Sequence, residues 1–324
     1  MDIYVKKAII HQFSPDDTDL YLADKLLNIT PKIEEYLRKK IERVYSDEAR
    51  TGIFEEDNPF LEMISDDLLE TSVAVANRWK EEFVVSENQK TNDLVFIQFS
   101  KEGVDHFAFL RIALRETLTH LGGEVDNPIK LTQNNLPGFG TGADEALVIN
   151  LQSRKYHLIE KRIKYNGTFL NYFSENLLQA QPKISPKKLI KALEKTAQKI
   201  AESFNTDDFQ FQSKVKSAIF NHIEEENKLS PEKLADDLFN DNLTARLSFI
   251  DQVKEAVPEP VTFEEIDASR QLKKFENQKL SLSNGIELIV PNNVYEDAES
   301  VEFILNENGT YSILIKNIED IQSK

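Results

Sequence analysis

The order of its hydrophobic periodicities constrains the fold of this chain more than any other feature. Short runs in which apolar and polar residues alternate fill much of the first half, and helix-like stretches interrupt them. From residue 185 to 256 only the helical period is present, and alternating runs return after Pro258 and Pro260, which predict a linker. Segregation of this kind is typical of an α+β fold with mostly antiparallel pairing.

A chain of 324 residues is long enough for two or three domains. The periodicities predict an N-terminal mixed antiparallel sheet with helices in residues 1–180, a helical middle segment in residues 181–256 and a C-terminal β-hairpin region in residues 257–324.

The predicted strands are residues 3–13, 20–27, 94–99, 104–118, 146–152, 156–164, 280–290, 301–306 and 310–316. Glu102-Gly103 predicts the turn of a hairpin, and Asn308-Gly309 predicts a type I′ turn between the last two strands. Residues 118–144 hold five of the ten glycines and predict a weakly structured connection. A connection of this length inside a compact domain is usually functional or disordered.

Four residue pairs mark predicted helix starts: Thr30-Pro31, Asn58-Pro59, Ser185-Pro186 and Ser230-Pro231. In each pair the first side chain can accept a hydrogen bond from an unpaired backbone N–H, and proline has no N–H to leave unpaired. The first two pairs predict helices over 31–45 and 59–83, and a short helix is predicted over 169–178. We expect Trp79, the only tryptophan, to pack from the second helix against the N-terminal sheet.

Positive and negative residues are also segregated along the chain. Between residues 153 and 199, eleven cations and three carboxylates give a net charge of +8, so the other residues sum to −25 in a chain of net charge −17. A basic stretch in an acidic chain is typical of a local binding surface for a polyanion, since the remaining surface repels such a partner.

The second half of this stretch has a helical pattern from Pro186 to Phe204. Ile190, Leu193, Ala197, Ile200 and Phe204 share one stripe, and a row of lysines lies on the opposite side. Such a row can follow a phosphate backbone. Lysine is also a good helix former that commonly occupies solvated faces, so an ordinary exposed helix face is the alternative interpretation.

The candidate nucleic-acid-binding residues are Arg154, Lys155, Lys161, Arg162, Lys164, Lys187, Lys188, Lys191, Lys195 and Lys199. The first two lie in a predicted strand corner formed by residues 153–155, and the last five lie on the predicted lysine helix.

Motifs for catalysis are missing from the sequence. It has no cysteine and no Gly-x-Ser-x-Gly, and the glycines at 138–142 lack the Lys-Ser/Thr that follows in a phosphate-binding loop. A nuclease site at Glu160 and Lys161 is disfavoured because neighbouring strand residues point to opposite faces. We therefore expect no enzyme activity, no cofactor and no metal site. The sequence also has no apolar run long enough for a membrane span, and its N-terminus does not resemble a secretory signal.

Several segments resemble a bacterial family of nucleoid-associated proteins of about the mass of this chain, 37.2 kDa. They are IHQF at 10–13, LYLADKLL at 20–27, ERVYS at 42–46, GIF at 52–54, ALVINL at 146–151, FLNYFSENLL at 169–178, RQLKKFE at 270–276 and GIELIV at 285–290. Packing and turn residues dominate these segments. The resemblance implies a cytoplasmic protein of the nucleoid that binds nucleic acid without known catalysis.

Two functional hypotheses follow. The first is a non-enzymatic nucleoid-associated protein that binds DNA or RNA through its basic surface, largely without sequence specificity. The alternative is an adaptor that binds chromosome-maintenance proteins through its acidic surface without contacting DNA. The expected partners are nucleic acid, other chromosome-associated proteins and, in a homo-oligomer, further copies of the chain; no membrane partner is expected.

Overall fold

The computed structural model describes residues 2–87, 89–120, 129–204, 210–226, 229–257, 272–273 and 275–322. The chain forms two compact units, Met1–Pro186 and Lys187–Lys324. Antiparallel strands and helices are both abundant, which confirms the α+β class. The three-part division predicted from the sequence stays a prediction, and its linker at Pro258 and Pro260 lies outside the described residues.

In the first unit the strands are β1 (Ile3–Ser14), β2 (Asp19–Tyr21), β3 (Arg50–Ile53), β4 (Asn92–Lys101), β5 (Val104–Ala113), β6 (Arg115–His120), β7 (Ile129–Asn135), β8 (Glu145–Asn150), β9 (Lys155–Ile159), β10 (Ile163–Tyr165) and β11 (Thr168–Leu170). Seven of them form one antiparallel sheet in the order β2-β1-β4-β5-β8-β9-β3. The β4–β5 hairpin turns at Glu102 and Gly103 as predicted, and both residues have positive φ.

Helices cover both faces of this sheet. They are α1 (Pro31–Glu42), followed by a 3-10 turn (Arg43–Tyr45), then α2 (Pro59–Glu62) and α3 (Leu68–Phe83), with a π-helical turn at Phe173–Leu177. Because strand side chains alternate between faces, Val95 and Ile97 of β4 pack in the cluster that includes α1, while Leu94 and Phe96 pack in the cluster that includes α3. Burial on both sides explains the nearly continuous apolar run of β4.

Trp79 occupies the core position expected from the sequence. Its side chain is fully buried, and its ring meets Phe13 of β1 edge-on with the centroids 5.5 Å apart. The indole Nε1 donates a hydrogen bond to the Tyr172 hydroxyl, 3.0 Å away. The prediction that α3 packs against the N-terminal sheet through Trp79 is confirmed.

The helix predicted from Pro59 to Phe83 is instead two helices. The chain leaves the helical conformation after Glu62 and starts again at Leu68, where the Asp67 side chain accepts hydrogen bonds from the N–H groups of Leu69 and Glu70. Asp67 therefore caps a new helix, and its capping side chain explains the break. The prediction of one continuous helix over residues 59–83 was therefore wrong.

Several strand predictions were too long. The strand predicted over 20–27 ends at Tyr21, because the Ala23 N–H bonds the His11 ring instead of a backbone carbonyl of β1. Residues 104–118 divide between β5 and β6 at Leu114, and residues 156–164 divide between β9 and β10. The helix predicted over 169–178 is only the π-helical turn, preceded by β11.

The connection over 118–144 is more ordered than predicted. β6 and β7 pair as an antiparallel two-stranded ribbon whose residues are mostly exposed. Gly122 and Gly123 lie outside the described residues. The prediction of a weakly structured segment was wrong for the ribbon, because cross-strand pairs such as Leu118 with Leu131 supply a regular register.

In the second unit the helices are α4 (Pro186–Ser203), α5 (Phe211–Glu226), α6 (Pro231–Phe239), α7 (Leu243–Ala256) and α8 (Asn292–Tyr295). The strands are β12 (Asn277–Ser281), β13 (Glu287–Pro291), β14 (Val301–Leu305) and β15 (Tyr311–Ile315). The first four helices confirm the helical stretch predicted over 185–256 within its described part.

The C-terminal strands form two hairpins. The segment predicted as one strand over 280–290 is the β12–β13 hairpin, which turns at Gly285 with φ +85°. The hairpin predicted between 301 and 316 is confirmed as β14–β15. The prediction of a type I′ turn in this hairpin was wrong, because Gly309 has positive φ but Asn308 does not.

Candidate nucleic-acid interface

Helix α4 is held by one strongly apolar face. Pro186 opens the helix, and the buried side chains along it are Leu189, Ile190, Leu193, Ala197, Ile200 and Ala201. Burial of this stripe fixes which side of the helix faces water. The amphipathic pattern predicted from the sequence is therefore present.

A row of four lysines lies on the exposed side of α4. Lys188, Lys191, Lys195 and Lys199 are all exposed, and their spacing of three, four and four residues places them along one face. At a rise of about 1.5 Å per residue the row is about 16 Å long. Lys187 is exposed just before it. We call Lys188, Lys191, Lys195 and Lys199 the lysine row.

The charge of the lysine row is not neutralised locally. Within the part of the chain that the structure describes, Lys188, Lys191 and Lys195 make no ion pair. Lys199 Nζ donates a hydrogen bond to Gln252 Oε1 at 3.2 Å, and this neutral amide leaves the positive charge in place. The four ammonium groups can therefore act together on an anionic partner.

The other five candidate cations belong to the first unit. Arg154 sits at the β8–β9 corner with φ 60°, and its Nη1 lies 3.0 Å from Glu56 Oε1. Lys155 is exposed at the start of β9. The predicted corner is therefore present, and its Arg154 is paired to a carboxylate.

The remaining three cations also have partners. Lys161 lies 2.7 Å from an Asp144 oxygen, and Lys164 lies 3.2 Å from a Glu87 oxygen. Arg162 Nε donates to Asn171 Oδ1 at 3.3 Å. Exposed ion pairs are weak and exchangeable, yet the paired carboxylates reduce the local positive potential. These cations are weaker candidates for phosphate contact than the lysine row.

Glu160 has a structural role in the first unit. Its nearly buried carboxylate accepts hydrogen bonds from Arg50 and from the Ser174 backbone N–H, the latter at 3.0 Å. Lys161, by contrast, is exposed and bonds Asp144. The two side chains therefore do not form a common site.

The glycine-rich loop binds a cation of the chain itself. Lys40 of α1 is fully buried, and its ammonium donates hydrogen bonds to the carbonyls of Pro137, Gly138 and Thr141 at 3.2, 2.9 and 2.6 Å. Burial, reinforced by the nearby Arg43, lowers the pKa of Lys40 to about 8. A phosphate-binding loop points N–H groups at its ligand, whereas this loop points carbonyl oxygens at an ammonium group.

Sequence reasoning missed Lys40, although a signal was present. Leu37, Lys40, Ile41 and Val44 follow the helical spacing of the buried face, so a lysine there has to find acceptors inside the protein. Which acceptors it finds depends on a loop about a hundred residues away.

A second buried polar network ties α3 to the sheet. Arg111 Nε donates to Glu145 Oε2 at 2.6 Å, the Tyr172 hydroxyl donates to the same oxygen, and Trp79 donates to that hydroxyl. Burial and the Glu145 carboxylate raise the pKa of the Tyr172 hydroxyl well above its usual value. The network lies inside the core, and the other carboxylate oxygen of Glu145, Oε1, is buried there without a hydrogen-bond partner among the described residues.

Among the described residues, no group of three or more His, Asp or Glu side chains is placed to hold a metal ion. No helix in this part of the chain has the length and apolarity needed to cross a membrane.

The fold and its surface define an acidic α+β protein with a basic face on one helix. A family model described as nucleoid-associated protein YejK matches residues 9–321, and the chain therefore belongs to this family of nucleoid-associated proteins. The resemblance noted in the sequence is thereby confirmed, and membership supports a nucleoid-associated role. A comparison with curated proteins gives no match to the chain.

Proposed function

We propose that this protein binds nucleic acid through the lysine row of α4, largely without sequence specificity. The observation that carries the proposal is the set of four exposed lysines, spaced along about 16 Å of one helix face whose opposite side is buried. Duplex DNA carries one negative charge per about 1.7 Å of its axis, so a row of this length spans several phosphates.

The chemistry of the interface is that of point charges. Lysine ammonium groups contact phosphate oxygens and release condensed counterions, and such contacts carry no base information. A separate and weaker set of phosphate contacts is proposed on the first unit, from Arg154, Lys155, Lys161, Arg162 and Lys164. Phosphate oxygens would replace the carboxylates of Glu56, Asp144 and Glu87 as partners of three of these cations.

The acidity of the chain shapes this binding. With a net charge of −17, most of the surface repels a polyanion, so we expect modest affinity and a steep dependence on salt. We further propose a non-enzymatic protein of the cytoplasm that meets DNA, RNA and other chromosome-associated proteins on the nucleoid.

The test replaces the lysine row by glutamine in the full chain, as K188Q/K191Q/K195Q/K199Q. Glutamine keeps a helix propensity close to that of lysine, so the helix should persist. Fluorescence anisotropy with duplex DNA, single-stranded DNA and RNA at several salt concentrations gives affinity and salt slope. The slope of log affinity against log salt should fall by up to about 3.6 on duplex DNA, since each lost contact removes about 0.9.

A charge-matched control is K7Q/K25Q/K32Q/K279Q, which removes four exposed lysines that lie outside α4. This control should keep the wild-type affinity and slope. If the lysine-row variant folds normally and also keeps both, α4 is an ordinary solvated face and the proposal fails.

The adaptor remains the second candidate function. Its supporting observation is the net charge of −25 outside residues 153–199, which favours basic protein partners. An adaptor would show no binding to any of the three nucleic acids at low salt, whereas a direct binder would show binding that weakens as salt rises.

A further inference from the structure

A cleft of about 550 Å³ lies in the second unit, apart from the lysine row. Its walls come from α5 and the α6–α7 junction on one side and from α8 and β14 on the other. A cleft of this volume is in the usual range for binding sites, about 300–1,000 Å³.

Buried hydrogen bonds hold the walls together. Ser217 Oγ of α5 donates to Asn292 Oδ1 of α8 at 2.8 Å, and Gln278 Nε2 of β12 donates to the same oxygen at 2.6 Å. All three side chains are buried. Because this network joins elements on both sides of the cleft, the site is formed before any ligand arrives.

The floor of the cleft is aromatic. Phe211 and Phe239 have ring centroids 5.6 Å apart on the helical side, and Tyr295 and Phe303 have centroids 5.3 Å apart on the other. Tyr295 and Phe303 are only partly buried, so part of their surface is presented to the cleft. Such a lining suits a large apolar side chain.

The rim of the cleft is acidic. Asp241, Glu296 and Glu302 line it, and Lys214, its one lysine, donates a hydrogen bond to the Leu238 carbonyl. Glu302 is paired with Lys316 at 2.7 Å. Asp241 and Glu296 are exposed and have no ion pair among the residues that the structure describes. A cationic ligand fits this rim, and a phosphate backbone does not.

The strand beside the cleft favours a peptide. Within the described residues β14 pairs only with β15, so one of its edges has no strand partner. Val301, Glu302 and Phe303 of β14 all line the cleft. An extended peptide that joins such an edge gains backbone hydrogen bonds, while a neighbouring pocket selects one of its side chains.

From the aromatic floor, the acidic rim and the open strand edge, we infer that this cleft binds a basic segment of a partner protein through one aromatic or large aliphatic anchor residue. The site is distinct from the lysine row and recognises the opposite charge. One chain can therefore hold nucleic acid at α4 and a basic protein segment at the cleft.

The experiment uses random dodecapeptides displayed on phage and selected on the immobilised full chain. The enriched peptides are synthesised, and their Kd values are measured by fluorescence anisotropy. We expect lysine- or arginine-containing peptides with one aromatic or large aliphatic residue, and replacement of that residue by alanine should weaken binding about thirtyfold.

Two variants locate the peptide. A298W places a large side chain in the cleft and should abolish binding, while its control A256W adds the same side chain at an exposed position of α7. D241N/E296Q removes two rim charges and should weaken binding about fivefold, while E224Q/E225Q removes two exposed charges from α5.

Thermal unfolding verifies that each variant is folded. The inference is overturned if no peptide is enriched, if the enriched peptides lack cations or an anchor, or if A298W binds as well as A256W. Equal binding of free indole and of the anchored peptides would identify a small-molecule pocket and would also overturn it.

Discussion

Lys40 shows how much a single residue can determine in this fold. Its buried ammonium holds the carbonyls of Pro137, Gly138 and Thr141, and the Tyr36 ring lies 4.5 Å from the same nitrogen. Tyr36 also donates to the Pro137 carbonyl. The loop over residues 137–141 is therefore anchored to α1 through the Lys40 ammonium and the Tyr36 hydroxyl.

Lys40→Met should release this loop and change the pH dependence of stability. The folded-state pKa of about 8 lies below the ordinary value of 10.5, so between these pH values the unfolded chain binds more protons than the folded one. Stability of the wild type relative to the variant should therefore rise as pH increases from about 8 to about 10.5.

Chemical denaturation at several pH values measures this difference, and hydrogen exchange over 137–141 reports the loop. The control is Lys32→Met, which removes an exposed lysine from the start of α1. A pH dependence that is identical for wild type and Lys40→Met would contradict the buried charge.

Tyr172 offers a second residue-scale prediction. Tyr172→Phe removes the hydroxyl that donates to buried Glu145 and accepts from Trp79, so two buried polar groups lose a partner. The free energy of unfolding should fall by about 2 kcal/mol. Urea titration followed by Trp79 fluorescence measures it. Tyr165→Phe, at an exposed tyrosine, should change stability little, and equal effects of both variants would count against the network.

At the scale of elements, the sequence predicted the existence of helices and strands better than their limits. The β4–β5 hairpin and the helices of residues 185–256 follow from local periodicity and turn residues, which the sequence displays directly. The break before α3 depends on the side chain of Asp67, and the end of β2 depends on a bond from the Ala23 N–H to the His11 ring, which the alternating pattern does not display.

The candidate site also has one part that the sequence predicted and another that it did not. The lysine row is a property of one helix, so its spacing could be read from the sequence. The ion pairs of Arg154, Lys161 and Lys164 join segments that are far apart in sequence or meet only in the fold, and nothing in the local pattern foretells them. The aromatic cleft likewise combines three separate helices with β14.

Helix capping provides a matched test at this scale. Asp67 accepts hydrogen bonds from two backbone N–H groups at the start of α3, whereas Thr30, which the sequence predicts as a cap of α1, makes no side-chain capping bond. Asp67→Ala should lower the free energy of unfolding by about 1 kcal/mol, and Thr30→Ala should change it much less. Urea titration of both variants measures the two changes in the free energy of unfolding. A larger loss for Thr30→Ala would show that α1 depends on a cap.

For the whole molecule, net charge acts on folding and on binding with opposite signs. A net charge of −17 repels itself in the compact state, so screening by salt should stabilise the fold. The same screening weakens contacts between the lysine row and phosphate. Salt should therefore raise the Tm and lower the affinity for DNA in the same preparation.

The lysine-row variant extends this prediction, because replacing four lysines by glutamine takes the net charge from −17 to −21. At low salt its Tm should lie below that of the wild type by about 2–4 °C, which corresponds to about 1 kcal/mol. Added sodium chloride should narrow the difference, since the loss comes from self-repulsion rather than from packing. Differential scanning calorimetry over a range of salt concentrations measures both values. A deficit in Tm that stays constant at high salt would show that the lysines stabilise α4 by packing, and the loss of DNA binding could then not be assigned to charge alone.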